Sequence, residues 1–288
     1  MILMMFMAHS ASLINQELDR RVPDQLQPLP NQAAPPAPPA VPLAQASSAL
    51  PTGFVPIDIV APTETNDPEV RICQLNFDAY ALEPHSTPMF KDLVAKSCPT
   101  SAVRSVRLSQ LAALPPLIKP TGFVFHEARV GSTLAANMLA VDPRNLVYSE
   151  SAPPASALLH CDGCSVERRV HLLRVLMNAM GNAPPRRRMF FKFQSAMSPH
   201  MEIVRQAFPD TPWVFLFRHP VEVMMSHLSH GANGPCLRHQ SSPPKELVSI
   251  ANVADVRSLP PPHYCALHLR YLSELALRNV VEAGWTLE

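Results

Sequence analysis

The sequence predicts an α/β fold, a central parallel sheet flanked by helices in three layers, preceded by a Pro-rich N-terminal region. Three observations predict it. Residues 123–125, 189–191 with Phe193, and 213–217 are short apolar runs, each nearly continuous. Strands buried on both faces of a helix-covered parallel sheet have this pattern. Segments of helical length lie between these runs, and strands alternating with helices imply right-handed crossovers. The first run also enters a polar turn, residues 126–133, followed by an amphipathic run from Leu134. That is the order of a strand, a phosphate-cradling loop and a helix.

Taken from the start, the 288 residues can hold one large domain or two small ones, and 47% apolar residues can build a substantial core. Proline is overused, with 33 residues against only 8 glycines. The excess concentrates in residues 23–63, around Pro35-Pro36-Ala37-Pro38-Pro39. Proline has no amide donor and a fixed φ, so this tract is expected to stay extended and disordered as a linker. A ligand for a Pro-binding module is the lesser alternative. The expected organisation is a disordered region 1–64, a lead-in segment 65–119 packing on the core, and the main domain 120–288.

The apolar start, residues 1–6, is short and has no Lys or Arg before it, unlike an ordinary signal peptide. No run approaches the roughly 18–20 residues that span a bilayer. The net charge of +1 argues against nucleic-acid binding, which needs clustered cations. Six cysteines permit disulfides without demanding them.

Within the lead-in segment, residues 90–95 read as a short helix and 103–114 are weakly periodic. Past the polar turn, residues 134–140 continue as a helix. Val166, Val170, Leu173, Met177 and Met180 form an amphipathic face that Asn182-Ala183-Pro184-Pro185 terminates. Residues 201–208 and 221–228 follow the second and third apolar runs. Residues 229–244 read as a surface loop. Residues 263–281 form a long helix with Cys265, Leu269, Leu272 and Ala276 on one face. In such sheets ligands sit at the carboxyl ends of the strands.

The turn after the first run lies at such an end. Free N–H groups at a helix start favour phosphate. Gly131 permits close approach, Ser132 and Thr133 add hydroxyls, and Arg129 adds a planar cation. A nucleoside triphosphatase loop would need Gly at His126 and Lys at Ser132, and it has neither. An ordinary strand–helix turn capped by Ser132 is the plain alternative. A second segment, Phe217-Arg218-His219-Pro220 with Ser226 eight residues after the Arg, ends the third run. Arg218 at a strand end and Ser226 two turns into the next helix can converge on one phosphate.

Together, Arg129-Val130-Gly131-Ser132-Thr133-Leu134 and Arg218 with Ser226 resemble the two signatures of the sulfotransferase family. That family uses 3′-phosphoadenosine 5′-phosphosulfate (PAPS) as donor. The resemblance covers about residues 123–281, and Val130 departs from the family's loop pattern. It implies a P-loop-type domain in which Arg129, Val130, Gly131, Ser132 and Thr133 hold the 5′-phosphosulfate. Arg218 and Ser226 hold the 3′-phosphate, and no metal is involved. The implied acceptor is a hydroxyl of a carbohydrate, a protein tyrosine or a small molecule. The pattern is nearest the tyrosylprotein and carbohydrate branches, which work in the secretory pathway. The soluble branch takes its base from a His where this chain has Gln194. The tyrosylprotein branch takes it from a Glu that matches Glu150, with His126 and His160 as weaker substitutes. Lys192, like Arg129, would stabilise charge on the transferring group. The family continues past the long helix with a strand and a Gly-rich segment, so a truncated or non-catalytic relative is the alternative. A P-loop kinase is a third reading, which the missing Lys opposes.

Cys161-Asp162-Gly163-Cys164 lacks the second pair or the His spacing of a zinc site and reads as a structural disulfide or free thiols in a loop. Arg186-Arg187-Arg188 reads as solvated turn charge.

Overall fold

The computed structural model describes residues 50–183, 185–231, 234–251 and 255–282, all within the unit Ala40–Glu288. It begins with β1 (Phe54–Ile59), β2 (Glu69–Gln74), α1 (Phe77–Leu82), α2 (Phe90–Ser97), β3 (Arg104–Arg107) and α3 (Leu108–Ala112). These precede β4 (Pro120–His126), α4 (Ser132–Ala140), β5 (Asn145–Ser149), α5 (Ala152–Leu159), α6 (Val166–Met180) and β6 (Arg188–Lys192). The chain then forms α7 (Met201–Ala207), β7 (Trp213–Leu216), α8 (Pro220–Leu228), α9 (Lys245–Ile250) and α10 (Pro261–Glu282).

The main sheet has four strands in the order β5-β6-β4-β7, and every pairing is parallel. The α/β fold with a helix-flanked parallel sheet is therefore present. Its register sets Phe123 opposite Phe191 and Trp213, and Tyr148 opposite Phe191. β7 departs from expectation. It ends the strand order, and Val214 is 46% exposed, so this run is not buried on both faces.

The N-terminal boundary is corrected. The tract expected to stay disordered to residue 64 contains β1, which pairs with β2 in a three-stranded antiparallel sheet β1-β2-β3. The prolines do not prevent this. β1 stands at the end of the strand order, where a missing N–H is tolerated, and the register shifts between Pro56 and Asp58. The centre of the Pro-rich tract and the apolar start lie outside the described residues.

One buried cluster runs from Val55 to Trp213 and joins the two sheets. At its centre, ring stacking crosses three strands: Tyr148 on Phe191 (5.1 Å), Phe191 on Phe193 (6.0 Å) and Phe193 on Phe125 (4.8 Å). Phe77 and Phe90 present ring edges to Tyr148, each at 5.5 Å, which fastens the lead-in segment to the parallel sheet. Aromatic pairs of this kind add about 1 kcal/mol each beyond area burial. The Tyr148 hydroxyl donates to the Met180 carbonyl at 2.6 Å, so the ring's polar end is satisfied.

Helix α6 is delimited by its caps. Ser165 Oγ accepts the Arg168 N–H at 3.1 Å, and Gly181 closes the helix. A side chain at Gly181 would meet the Ile118 carbonyl oxygen at 2.1 Å, so only glycine lets the lead-in segment pass this close. A second, smaller cluster of Leu247, Val256, Tyr264, Tyr271 and Leu272 packs the C-terminal helix α10.

Two side-chain expectations also change. Arg186 is not a solvated charge: it is 7% exposed, ion-paired to Asp78 and hydrogen-bonded to the Pro143 carbonyl. Arg188 pairs with Asp142 at 2.6 Å. The stretch read as a surface loop carries a 3-10 turn, Pro235–His239, tied to α10 by the Cys236–Cys265 disulfide. All six cysteines are paired, the others as Cys73–Cys98 and Cys161–Cys164.

Candidate active site

Parallel strand order brings the carboxyl ends of β5, β6, β4 and β7 to one edge, and the residues singled out in the sequence cluster there. The loop after β4 turns sharply before α4. Ala128 (φ 69°), Arg129 (φ 57°) and Gly131 (φ 83°) are all left-handed. Glu150, just past β5, has φ 58°. Ala128, Arg129 and Glu150 are three of the four non-glycine residues with positive φ among the described residues. Such backbone costs about 1–3 kcal/mol per residue and collects where function requires it.

Gly131 precedes the first residue of α4, Ser132, which is 5% exposed. The first N–H groups of that helix have no intrahelical acceptor. A side chain at Gly131 would meet nothing within 4 Å, so the space in front of the loop is open. Val130 and Thr133 are half-buried beside it.

Arg129 Nε donates to Ser226 Oγ at 2.9 Å, across 97 residues of sequence. The loop cation thus meets the serine of the second segment. Arg218 is turned elsewhere. Its Nε lies 2.5 Å from Glu222 Oε2, one turn along α8, and its side chain is 44% exposed. Arg218 and Ser226, expected to converge on one phosphate, thus have different side-chain partners: Glu222 for Arg218 and Arg129 for Ser226.

At the other side of the edge, Lys192 and Glu150 form an ion pair. The Glu150 N–H also donates to the Lys192 carbonyl at 2.7 Å, so backbone and side chain both join β5 to β6. The Lys192 side chain is 1% exposed and that of Glu150 28%. The lysine is therefore buried rather than reaching out to solvent, and the carboxylate is the more exposed partner. Burial lowers the Lys192 ammonium, and the Glu150 carboxylate partly restores it.

His126 is buried beneath the loop. Its Nδ1 accepts the Ala128 N–H at 2.9 Å, and its Nε2 donates to the Phe193 carbonyl at 2.9 Å. Both ring nitrogens are used in shaping the loop. Burial, with Lys192 nearby, depresses its pKa to about 3, so the ring is neutral. His160 ends α5, far along that helix from Glu150. Gln194 begins the turn after β6.

Two further groups were not singled out in the sequence. Glu127 is 3% exposed and accepts from the Ser273 hydroxyl at 2.7 Å, which ties α10 to the base of the loop. Burial raises its carboxyl and the Ser273 hydroxyl opposes this. His227, next to Ser226 and fully buried, accepts the Cys236 N–H at 2.9 Å through Nδ1. Burial depresses it to about 4, and Arg129 and His230 push in the same direction. Neither residue has a local pattern that would mark it. A signal did exist for Glu222, which follows Arg218 at i,i+4.

Compared with protein-family models, curated proteins and solved structures, the chain matches none. Among the described residues no group of three or more His, Cys, Asp or Glu side chains could hold a metal ion, and no helix is long and apolar enough to cross a membrane.

Proposed function

We propose that this chain transfers a sulfuryl group from PAPS to an acceptor hydroxyl, as a P-loop-type domain of the sulfotransferase kind. The observation that carries the reading is the 2.9 Å hydrogen bond from Arg129 to Ser226. It joins two segments that each resemble one half of a site for a nucleotide with two separate phosphates. Either segment alone would be an ordinary turn or an ordinary helix residue.

The donor's chemistry is an activated sulfuryl group on a phosphate leaving group. In this reading the N–H groups at the start of α4, together with Arg129, receive its anionic end. Arg218 and Ser226 receive the other phosphate. Glu150 takes the proton of the acceptor hydroxyl, held in place by Lys192, and Lys192 supplies positive charge next to the transferring group. Three disulfides fit a protein that folds in an oxidising compartment such as the secretory pathway. The acceptor class stays at a hydroxyl of a carbohydrate, a protein tyrosine or a small molecule.

One observation favours a second reading, a relative that binds nucleotide weakly or not at all. Glu222 already occupies Arg218, and a phosphate there must displace a carboxylate. Thermal melting with adenosine 3′,5′-bisphosphate separates the readings. Site formation predicts a raised melting temperature that Arg218→Ala abolishes. Folded protein that shows no shift at millimolar ligand rejects the donor-binding reading. Transfer of labelled sulfate to a hydroxyl acceptor, lost in Glu150→Gln, then tests catalysis separately from binding.

A further inference from the structure

The turn Cys161-Asp162-Gly163-Cys164 has no part in the site described above, and its disulfide closes a far shorter loop than the other two. It joins α5 to α6, with Ser165 capping the second helix. The Cys164 N–H donates to the Cys161 carbonyl at 3.2 Å, and Gly163 (φ 71°) completes the turn with open space around it. Cys161 is fully buried, whereas Cys164 is half-buried. An incoming thiolate therefore has one sulfur to approach and one that is shielded. In Cys236–Cys265 both residues are fully buried, while Cys73–Cys98 also joins a buried residue to a partly buried one, so loop length rather than access separates it from Cys161–Cys164.

A guanidinium sits at the Cys161 backbone, and the exposed Asp162 carboxylate stands in the turn itself. Arg169 Nη2 donates to the Cys161 carbonyl at 3.2 Å, while Arg169 Nε is buried without a hydrogen-bond partner among the described residues. No carboxylate pairs with this guanidinium among the described residues. Glu64 sits near the same helix end, but both of its oxygens are taken by Ser165, one by the N–H at 2.8 Å and one by the hydroxyl at 2.9 Å. A cation beside a cysteine lowers its thiol pKa, and stabilising the thiolate makes a disulfide easier to reduce.

Opening this pair also disturbs the fold least. A cross-link restrains the unfolded chain more when it closes a longer loop. Cys161–Cys164 spans a sequence separation of 3, against 25 for Cys73–Cys98 and 29 for Cys236–Cys265. The dithiol form thus keeps about four fifths of the chain-entropy constraint that the three disulfides provide.

We propose that Cys161–Cys164 is a thiol–disulfide exchange site that opens to a dithiol with an external dithiol reductant while the other two disulfides stay closed. A thiolate of the reductant attacks the accessible Cys164 sulfur. The S–S bond breaks and its electron pair leaves on Cys161, whose carbonyl Arg169 holds. The second thiolate of the reductant then closes on its own sulfur in the mixed disulfide and releases Cys164. The reductant leaves as a cyclic disulfide, two electrons have passed to the protein, and the reductant's two protons end on Cys161 and Cys164.

The test equilibrates the full chain in mixtures of reduced and oxidised dithiothreitol, traps free thiols with a maleimide and locates them by peptide mass spectrometry. Cys161 and Cys164 are expected to label at a ratio of reduced to oxidised reagent at least tenfold lower than the other four cysteines, with unchanged circular dichroism. Arg169→Gln is expected to raise the ratio needed several-fold, and Arg169→Lys to leave it near the wild-type value. Joint opening of all three pairs, or earlier opening of either other pair, overturns the proposal. So does an Arg169→Gln midpoint equal to wild type. Should Arg169→Gln fail to fold, the order of opening in the wild-type chain and in Arg169→Lys decides.

Discussion

Glu222, in the first turn of α8, lies four residues after Arg218 and four before Ser226, and its carboxylate is 2.5 Å from the Arg218 guanidinium. An exposed ion pair of this sort is worth at most about 1 kcal/mol. It therefore weakens anion capture by Arg218 without preventing it. Glu222→Gln should bind adenosine 3′,5′-bisphosphate up to about fivefold more tightly, since removing 1 kcal/mol of competition corresponds to that factor. Titration calorimetry of the variant against wild type measures it. Equal or weaker binding would mean that Arg218 does not face the ligand.

The Lys192–Glu150 pair gives a second expectation. Lys192→Met leaves the Glu150 carboxylate without its cation, and Glu150→Gln leaves a buried ammonium unpaired. Breaking a fully buried pair costs about 3–5 kcal/mol, and the partial exposure of Glu150 reduces this to about 2 kcal/mol for Lys192→Met. The double variant should lose less than the sum of the two single losses. Urea denaturation of all four proteins closes the cycle. Strict additivity would show that the two side chains do not interact in solution.

Acid should loosen the α8–α10 contact. His227 and His268 are each depressed from the ordinary 6.5 to about 4, both chiefly by burial. The groups facing them are cationic or neutral: Arg129 and His230 act on His227, and His227 and His239 act on His268. His227 Nε2 and His268 Nδ1 are also buried without hydrogen-bond partners among the described residues. Below pH 6.5 the unfolded chain takes up these protons and the folded chain does not. Their contribution to stability is thus full above pH 6.5 and falls away as the pH drops towards 4. His268→Asn should flatten the decline between pH 6.5 and 4 seen in urea midpoints of the wild type. An unchanged slope would remove His268 from the account.

The Cys236–Cys265 bridge holds the turn whose backbone anchors His227, the neighbour of Ser226. Replacing both cysteines by serine should cost about 3–4 kcal/mol, the chain-entropy value for a loop of this size. It should also weaken adenosine 3′,5′-bisphosphate binding, because α8 loses its anchor. Denaturation curves and calorimetry read the two effects separately. Lost stability with intact binding would show that the bridge does not position Ser226.

Much of the fold was legible locally. The runs at Phe123, Met189 and Trp213 became β4, β6 and β7, and the spacing from Val166 to Met180 became α6 with its stop where the prolines follow. These elements are specified by side-chain periodicity within a few residues, which is read directly. β1 was missed because composition was averaged over a tract, and proline at an end strand carries no penalty that composition can register. The exposure of Val214 was missed because an apolar run does not say which strand will end the sheet. The turn at Arg129 and Gly131 and the helix start at Ser132 were legible because turn chemistry is local. Glu127 and His227 were not, because each acts through a partner in another element.

By itself, then, the sequence determined the kinds of element, their order, and the residue types available at the carboxyl ends of the strands. Only the tertiary structure decided which of those residues meet. The order β5-β6-β4-β7 brings Glu150 to Lys192, and the approach of α8 to the β4 loop brings Ser226 to Arg129 rather than to Arg218. The physical reason is that such pairs are set by strand order and helix docking over separations of 42 and 97 residues. Hydrophobic periodicity specifies which face of an element is buried, and leaves open which element will cover it.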